Sequence, residues 1–419
     1  MDKGRSYHIS KETVYAAYKH VKANKGAAGV DGITIQKFEE KLEDNLYKIW
    51  NRMTSGSYFP PPVKAVEIPK ADGKVRKLGV PTLGDRIAQM VVKMTLEPLL
   101  EPLFHENSYG YRPNKSGLDA IEVARKRCWQ YDWVIDMDIK GFFDNIDHEL
   151  MMRAVSNHTQ EPWILLYVKR WLEAPMKEVD GTTTERTKGT PQGGVISPLL
   201  ANLFLHYTFD VWMSRNYAKN PFERYADDIV VHCASEEEAK LLLEALKTRF
   251  QECKLELHPE KTKIVYCKDS NRKGGSQNEK FDFLGYTFRP RSSRNRYGKL
   301  FTNFCPAISD KAKTRIRETI HDWRAINKPT ITLREIAKTI NPVTTGWMNY
   351  YGRFFESEMW AVVRNVDFFL IRWGKKKYEQ LKRTRKRARV WLTRNMERQP
   401  ELFAHWKWKL KRDLSRRAV

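Results

Sequence analysis

The sequence predicts an α+β fold in which a mixed strand-and-helix region precedes an all-helical, basic one. Three observations predict it. Up to about residue 290, apolar residues alternate between a period of two and a period near 3.6, with glycine- and proline-rich breaks between the segments. From about residue 306 the chain reads as helix and is rich in Trp, Lys and Arg. The length of 419 residues favours two or three domains with a sizeable core.

Each element can be justified in order. Residues 11–53 read as helical, with Ile35, Phe38, Leu42, Leu46 and Ile49 at helical spacing and "NKGAAGVDG" as a glycine-rich loop. "SGSYFPPPVK" ends the helices, because three prolines cannot continue one. "KAVEIPKADGKVRKLGVPT" predicts a hairpin turning at "ADGK". A helix follows over 84–103, then a loop "SYGYRPNKSG" and a helix over 117–130. "WVIDMD" predicts a strand with Val134, Asp136 and Asp138 on one face. Helices at 147–155 and 161–173 lead to "GTPQGGVISPLLANLFLHYTFDVWM", a glycine-rich loop entering an apolar helix. "FERYADDIVVHC" predicts a second hairpin with Asp227 and Asp228 at its tip. A helix over 235–252 and the strands "KTKIVYC" and "FDFLGYTF" close this region, and the arginine-rich "RPRSSRNRYGK" sets a domain boundary near 290–305.

Charge narrows the partners. Lys plus Arg number 75 against 51 Asp plus Glu, a net +24, which is the footprint of a polyanion. A membrane-spanning role is disfavoured, because the most apolar stretch, "VISPLLANLFLHYTFDVWM", is interrupted by Asn202, His206 and Asp210. "MDKGRSYHIS" lacks the apolar core of a signal peptide. Five scattered cysteines without C-x-x-C spacing argue for reduced thiols in the cytoplasm, and against a disulfide framework or a cysteine zinc site.

The adjacent Asp227 and Asp228 carry the chemistry. A lone Asp-Asp pair is usually a solvated turn, but here apolar strands flank it. Two divalent ions held by aspartates about 3.5–4 Å apart drive in-line phosphoryl transfer, and hard oxygen ligands suit Mg²⁺. Neighbouring side chains point to opposite faces, so one of the pair is the full ligand, and Asp138 is the best candidate for the second carboxylate.

Seven segments in order resemble the reverse transcriptase family, specifically the endonuclease-lacking reverse transcriptase–maturases of group II introns. They are "IPKADGKVRKLGVPT" at 68–82, "SYGYRP" at 108–113, "DMDIKGFFD" at 136–144, "GTPQGGVISPLLANL" at 189–203, "YADD" at 225–228, "KLELHPEKTKI" and "FLGYTF". The resemblance runs from about residue 20 to beyond 350 and implies a right-hand polymerase followed by a helical thumb. The expected domains are an N-terminal extension over 1–62, fingers and palm over 63–290, and a thumb or maturase domain over 291–395. A basic tail over 396–419 is the place a rudimentary DNA-binding segment would have.

The resemblance also implies roles for single residues. Asp138, Asp227 and Asp228 are the catalytic set and, with Ile139, hold two Mg²⁺ ions, for which Mn²⁺ can substitute. Lys70 and Arg76 face an incoming triphosphate, and Gln192 and Gly193 border the nucleotide, where a Cβ would collide. Phe143 lies beneath the sugar and excludes a 2′-hydroxyl, while Lys261 assists pyrophosphate departure. Tyr225, Ala226, Arg112, Leu284 and Gly285 face primer and template. Lys382, Arg383, Arg385, Lys386, Arg387 and Arg389 bind RNA, because such a run repels itself without an anion alongside. The implied partners are the parent intron RNA, a DNA target and primer, and deoxynucleoside triphosphates, with no membrane. The implied function is RNA-directed DNA polymerisation that assists splicing and target-primed mobility, in the bacterial cytoplasm and at the nucleoid. The alternatives are a splicing-only RNA-binding maturase and a domesticated or defence-associated reverse transcriptase. The intact aspartates and "PQGG" weigh against the first, and the N-terminal extension and basic aromatic domain against the second.

Overall fold

The computed structural model describes residues 7–69, 75–295 and 297–417. The fold is α+β, and the chain forms two compact units: Met1–Ala120 with Ile135–Ile264, and Ile121–Val134 with Val265–Val419.

The first unit begins with helices α1 (Lys11–Ala23), α2 (Ile35–Glu39) and α3 (Leu42–Thr54). Ser10 ends the preceding coil by accepting a hydrogen bond from the Thr13 N–H, which satisfies one free donor of the first turn. The expected hairpin is β1 (Val63–Pro69) and β2 (Val75–Val80), paired antiparallel from Lys64 with Val80 to Pro69 with Val75. Next comes α4 (Leu83–Leu100), capped by Thr82, whose buried run from Ile87 to Val92 makes it a core helix onto which α1 packs.

Helix α5 (Gly117–Cys128) leads to β3 (Trp133–Asp138), then to α6 (Phe142–Asn145), α7 (His148–Ser156) and α8 (Pro162–Glu173). Short strands β4 (Met176–Lys177) and β5 (Thr183–Thr184) extend the first hairpin into a sheet of order β2-β1-β4-β5. Helix α9 (Ser197–Leu205) continues through a π-helical segment, His206–Asp210, into α10 (Val211–Asn216). Asn202, His206 and Asp210, which interrupt the apolar run in the sequence, are all buried.

The opening of the second predicted hairpin is β6 (Phe222–Tyr225) and its return is β7 (Asp228–Cys233), with Tyr225 opposite Asp228. Helix α11 (Glu236–Glu252) and β8 (Lys263–Tyr266) follow, and the central sheet has the order β6-β7-β3-β8.

In the second unit, "FDFLGYTF" is two strands, not the single strand expected. β9 (Phe281–Phe283) and β10 (Tyr286–Arg294) flank a turn in which Leu284 and Gly285 take φ of 50° and 80°. A left-handed pair of this kind closes a two-residue hairpin, and glycine reaches it freely. The stretch expected to be an interdomain boundary is also structured, because β11 (Leu300–Ile308) pairs with β10 along its whole length. Helices α12 (Asp310–Asp322), α13 (Leu333–Tyr351), α14 (Trp360–Lys377), α15 (Arg385–Arg398) and α16 (Ala404–Arg417) complete the unit. Thr332 and Glu335 form a reciprocal capping box at the start of α13.

The tryptophans of this unit are core residues. Trp373, Trp406 and Trp408 are buried, and Trp323, Trp347, Trp360 and Trp391 pack against the same cluster. Burial of their rings, not stacking on bases, accounts for the aromatic richness of the region. His405, with Nε2 at 3.1 Å from Asp367, is a packing histidine. Among the described residues, no helix is long and apolar enough to cross a membrane.

Candidate active site

A cavity of about 560 Å³ in the first unit gathers residues that lie far apart in sequence. Arg76, Asp138, Ile139, Phe143, Gln192, Asp227 and Lys261, all singled out in the sequence, line it. Lys70 lies outside the described residues.

Strand β3 delivers Asp138 at its last residue, and the turn between β6 and β7 delivers Asp227. Burial raises the Asp227 carboxyl above its ordinary range, and the charge of Asp138 pushes the same way, against Arg76 and Lys261. Two carboxylates in one cavity call for a countercharge. The Lys261 ammonium, 2.9 Å from Asp138 Oδ2, supplies one in part. Hard oxygen donors of this kind fit Mg²⁺ or Mn²⁺. Among the described residues, no three His, Cys, Asp or Glu side chains converge on a single point, so water and substrate oxygens would complete any coordination shell. Asp228 opens β7 opposite Tyr225 and does not line the cavity, in keeping with the alternation of adjacent side chains. Asp136, on the same strand face as Asp138, lies 3.6 Å from Lys263.

Arg76 and Gln192 bind each other: Arg76 Nε donates to Gln192 Oε1 at 2.7 Å. This joins the first hairpin to the glycine-rich loop, as does the bond from Gly79 N–H to the Gln192 carbonyl at 2.8 Å. Gly193 does not border the cavity. A Cβ on it would lie 2.5 Å from the Gly79 carbonyl oxygen, so the glycine is needed for loop-to-hairpin packing. Gly194 is constrained by Ser197 Oγ in the same way.

The loop is also held from below. Asp85, fully buried, accepts hydrogen bonds from Tyr58 Oη, Trp171 Nε1 and Gln89 Nε2 at 2.8–2.9 Å. Gln89 Oε1 in turn accepts from the Val195 and Ile196 N–H groups at 2.7 and 3.2 Å. Burial pushes the Asp85 carboxyl up to about 6 despite these three donors.

The "YADD" turn rests on an arginine that the sequence reading passed over. Arg224 is completely buried and donates to both carboxylate oxygens of Asp210, at 2.7 and 2.6 Å. Its Nη1 also reaches Asn202 Oδ1 at 2.9 Å and the Ala226 carbonyl at 3.3 Å. Asn202 Nδ2 donates to the Gly110 carbonyl at 2.7 Å, and a Cβ on Gly110 would lie 2.4 Å from the Ala226 nitrogen. Ala226 is buried with φ of 56°, a left-handed conformation that costs an L-residue roughly 1–2 kcal/mol. Its small size suits the packing beneath the turn. Tyr225 is half-buried, with its ring 6.3 Å from that of Tyr111.

Arg112 is likewise turned inward. Its guanidinium bonds Glu101 and the His105 and Ser108 carbonyls at 2.7–3.0 Å, and only 7% of the side chain is exposed, so it braces the "SYGYRP" loop. Leu284 and Gly285 form the β9–β10 turn of the second unit, where Tyr350 Oη donates to the Leu284 carbonyl and Tyr351 packs against Gly285. In that unit Arg383, Arg385, Lys386, Arg387 and Arg389 are exposed around the start of α15. Lys382 pairs with Glu379, and Arg385 lies over the Phe368 ring at 5.0 Å.

Sequence reasoning missed Arg186, Asp144 and His258, which also line the cavity. Asp144 and His258 fall inside recognised motifs and could have been singled out there. Arg186 lies in the aperiodic run "TTTERTKGT", which offers no such signal.

Over residues 68–288 the chain matches the family described as "Reverse transcriptase (RNA-dependent DNA polymerase)", and over 313–391 the "Group II intron, maturase-specific domain". It is 32% identical to "Protein YkfC" of Escherichia coli (strain K12), over 66% of this chain and 80% of that protein. It is 34% identical to "Group II intron-encoded protein LtrA" of Lactococcus lactis subsp. cremoris, over 48% of this chain and 33% of that protein. It is 29% identical to the "Putative COX1/OXI3 intron 1 protein" of Saccharomyces cerevisiae, over 47% of this chain and 23% of that protein. The chain therefore spans a third or less of these two longer relatives.

Proposed function

Because the chain belongs to the reverse transcriptase family and carries a group II intron maturase-specific domain, we propose that it extends a DNA primer on an RNA template and binds its parent intron RNA. The observation that carries the polymerase reading is the convergence of Asp138 and Asp227 with Arg76, Gln192, Phe143 and Lys261 in one cavity.

Asp138 and Asp227, with the Ile139 backbone beside them, are the groups that would hold two Mg²⁺ ions. Mg²⁺ bound there supplies Lewis acidity to a primer 3′-hydroxyl and to the α-phosphate it attacks. The protein's own part is positioning and charge. Arg76, anchored by Gln192, presents a fixed cation to the triphosphate. Lys261, already beside Asp138, would donate a proton to departing pyrophosphate. The Phe143 ring lines the cavity and would meet a 2′-hydroxyl. RNA binding is supported by the exposed cations around the start of α15: among the described residues, Arg383, Lys386, Arg387 and Arg389 have no acidic partner. Splicing assistance and target-primed mobility follow from this pairing of a polymerase site with a maturase domain.

The purified chain, given an RNA template, a DNA primer, Mg²⁺ and deoxynucleotides, should extend the primer, and Asp227→Ala should abolish extension. Extension that survives this substitution sinks the metal assignment. In the same assay, Phe143→Ala should raise ribonucleotide incorporation; unchanged discrimination would leave Phe143 a core ring alone.

A further inference from the structure

Among the described residues, four side chains lining the cavity carry a full positive charge: Arg76, Lys77, Arg186 and Lys261. Three are already engaged. Arg76 Nε is held by Gln192 at 2.7 Å, Lys77 by Glu178 at 2.9 Å, and Lys261 by Asp138 at 2.9 Å. Arg186 differs from them. Its Nε is buried and, among the described residues, has no hydrogen-bond partner. Asp144 and Glu178 act on it only through their charge, and Glu178 is already bound to Lys77. Burial, the largest influence on it, pulls its pKa below the usual arginine range.

A buried guanidinium N–H without an acceptor costs stability unless a ligand completes it. The group is planar, stays charged and presents paired donors that match phosphate oxygens. The run that carries it, between β5 and the glycine-rich loop, brings it to the same cavity as Gln192 and Arg76. A cavity of about 560 Å³ is of the size that encloses a small molecule, not a duplex.

We propose that Arg186 is a phosphate-binding residue of this cavity, and that the phosphate belongs to the incoming nucleoside triphosphate. The inference rests on the polymerase reading above. The competing source of the same chemistry is the sugar-phosphate backbone of template or primer, and the two are separable by kinetics.

The test compares the full chain with Arg186→Gln and Arg186→Lys in primer extension, measuring KM for deoxynucleotide, kcat, and Kd for template–primer. Arg186→Gln should raise the nucleotide KM about 10-fold or more while leaving the template–primer Kd unchanged. Arg186→Lys should recover part of the loss, as a point charge without the fork. A nucleotide KM within about twofold of wild type overturns the proposal. A weakened template–primer Kd with unchanged nucleotide KM also overturns it and assigns the phosphate to the strand. Arg186→Gln should melt at or above the wild-type temperature, because a buried donor without an acceptor has been removed; a lower melting temperature makes the residue a structural brace and counts against binding. A wild-type chain that extends no primer removes the polymerase reading itself, whereas an active wild type with an indifferent Arg186 removes only this proposal.

Discussion

Replacing Arg224 by methionine tests whether the buried ion pair under the "YADD" turn sets the position of Asp227. The substitution leaves the Asp210 carboxylate in a site with 1% side-chain exposure and no cation. Removing one partner of such a pair costs about 3–5 kcal/mol, chiefly as the desolvation of the charge left behind. Against a total stability of roughly 5–15 kcal/mol, that is a large but survivable loss. The double variant Arg224→Met with Asp210→Leu removes both charges and should recover most of it. Catalysis should respond differently. The Ala226 carbonyl loses its Arg224 donor in both variants, which frees a turn held in a left-handed conformation. A displacement of about 1 Å at a catalytic group costs on the order of 10²-fold in rate. Urea unfolding gives the stability, and primer extension gives kcat separately from nucleotide KM. The expected pattern is a stability loss that the double variant repairs and a kcat loss that it does not. A single variant destabilised by less than about 1 kcal/mol, or a double variant with wild-type kcat, refutes the reasoning.

Two further outcomes follow from groups already described. Asp85 titrates near 6 when folded against about 3.9 unfolded, so the folded state holds its proton more tightly. Its contribution to stability is present in full below about pH 4 and is lost as pH rises through about 6. The unfolding free energy of wild type relative to Asp85→Asn should therefore fall by roughly 2–3 kcal/mol between pH 4 and 7, and a flat difference would remove the buried-acid argument. Replacing Arg383, Lys386, Arg387 and Arg389 by alanine should weaken structured-RNA binding in a filter assay. It should also flatten the dependence of log affinity on log salt by about 0.7–0.9 per lost phosphate contact, and an unchanged slope would take these residues out of the interface.

The cavity was largely legible because its residues sit in contiguous runs whose spacing is itself the signal. Asp138 ends an alternating strand and Asp227 tips a hairpin, and the tertiary structure brings the two segments to one place. What escaped was cooperation between distant polar groups. Asp210 and Asn202 look like interruptions of an apolar helix until Arg224, 14 and 22 residues away, is seen to bind both. The backbone packed against Gly193 and Ala226 was likewise hidden, because a sequence shows that a residue is small but not which backbone lies against it. Gly285 was available as the sign of a turn within "FDFLGYTF", and the flanking aromatics concealed it by continuing the strand pattern on both sides. The arginine-rich stretch passed for a domain boundary because outer residues of 286–294 face solvent while their backbone pairs with 300–308.

The π-helical segment His206–Asp210 leaves this part of the chain without room for added length. A π-turn accommodates residues that an α-helix of the same span has no room for, and α-helical winding turns each position by about 100°. Inserting one residue between Leu205 and Asp210 would turn the helix beyond it by about 100° and swing the Asp210 carboxylate about a quarter-turn away from Arg224, whereas deleting one would remove the surplus residue and return the segment to ordinary winding. The spacing between the glycine-rich loop and the aspartate hairpin is thereby fixed by helical phase, as firmly as by the identity of any side chain in it.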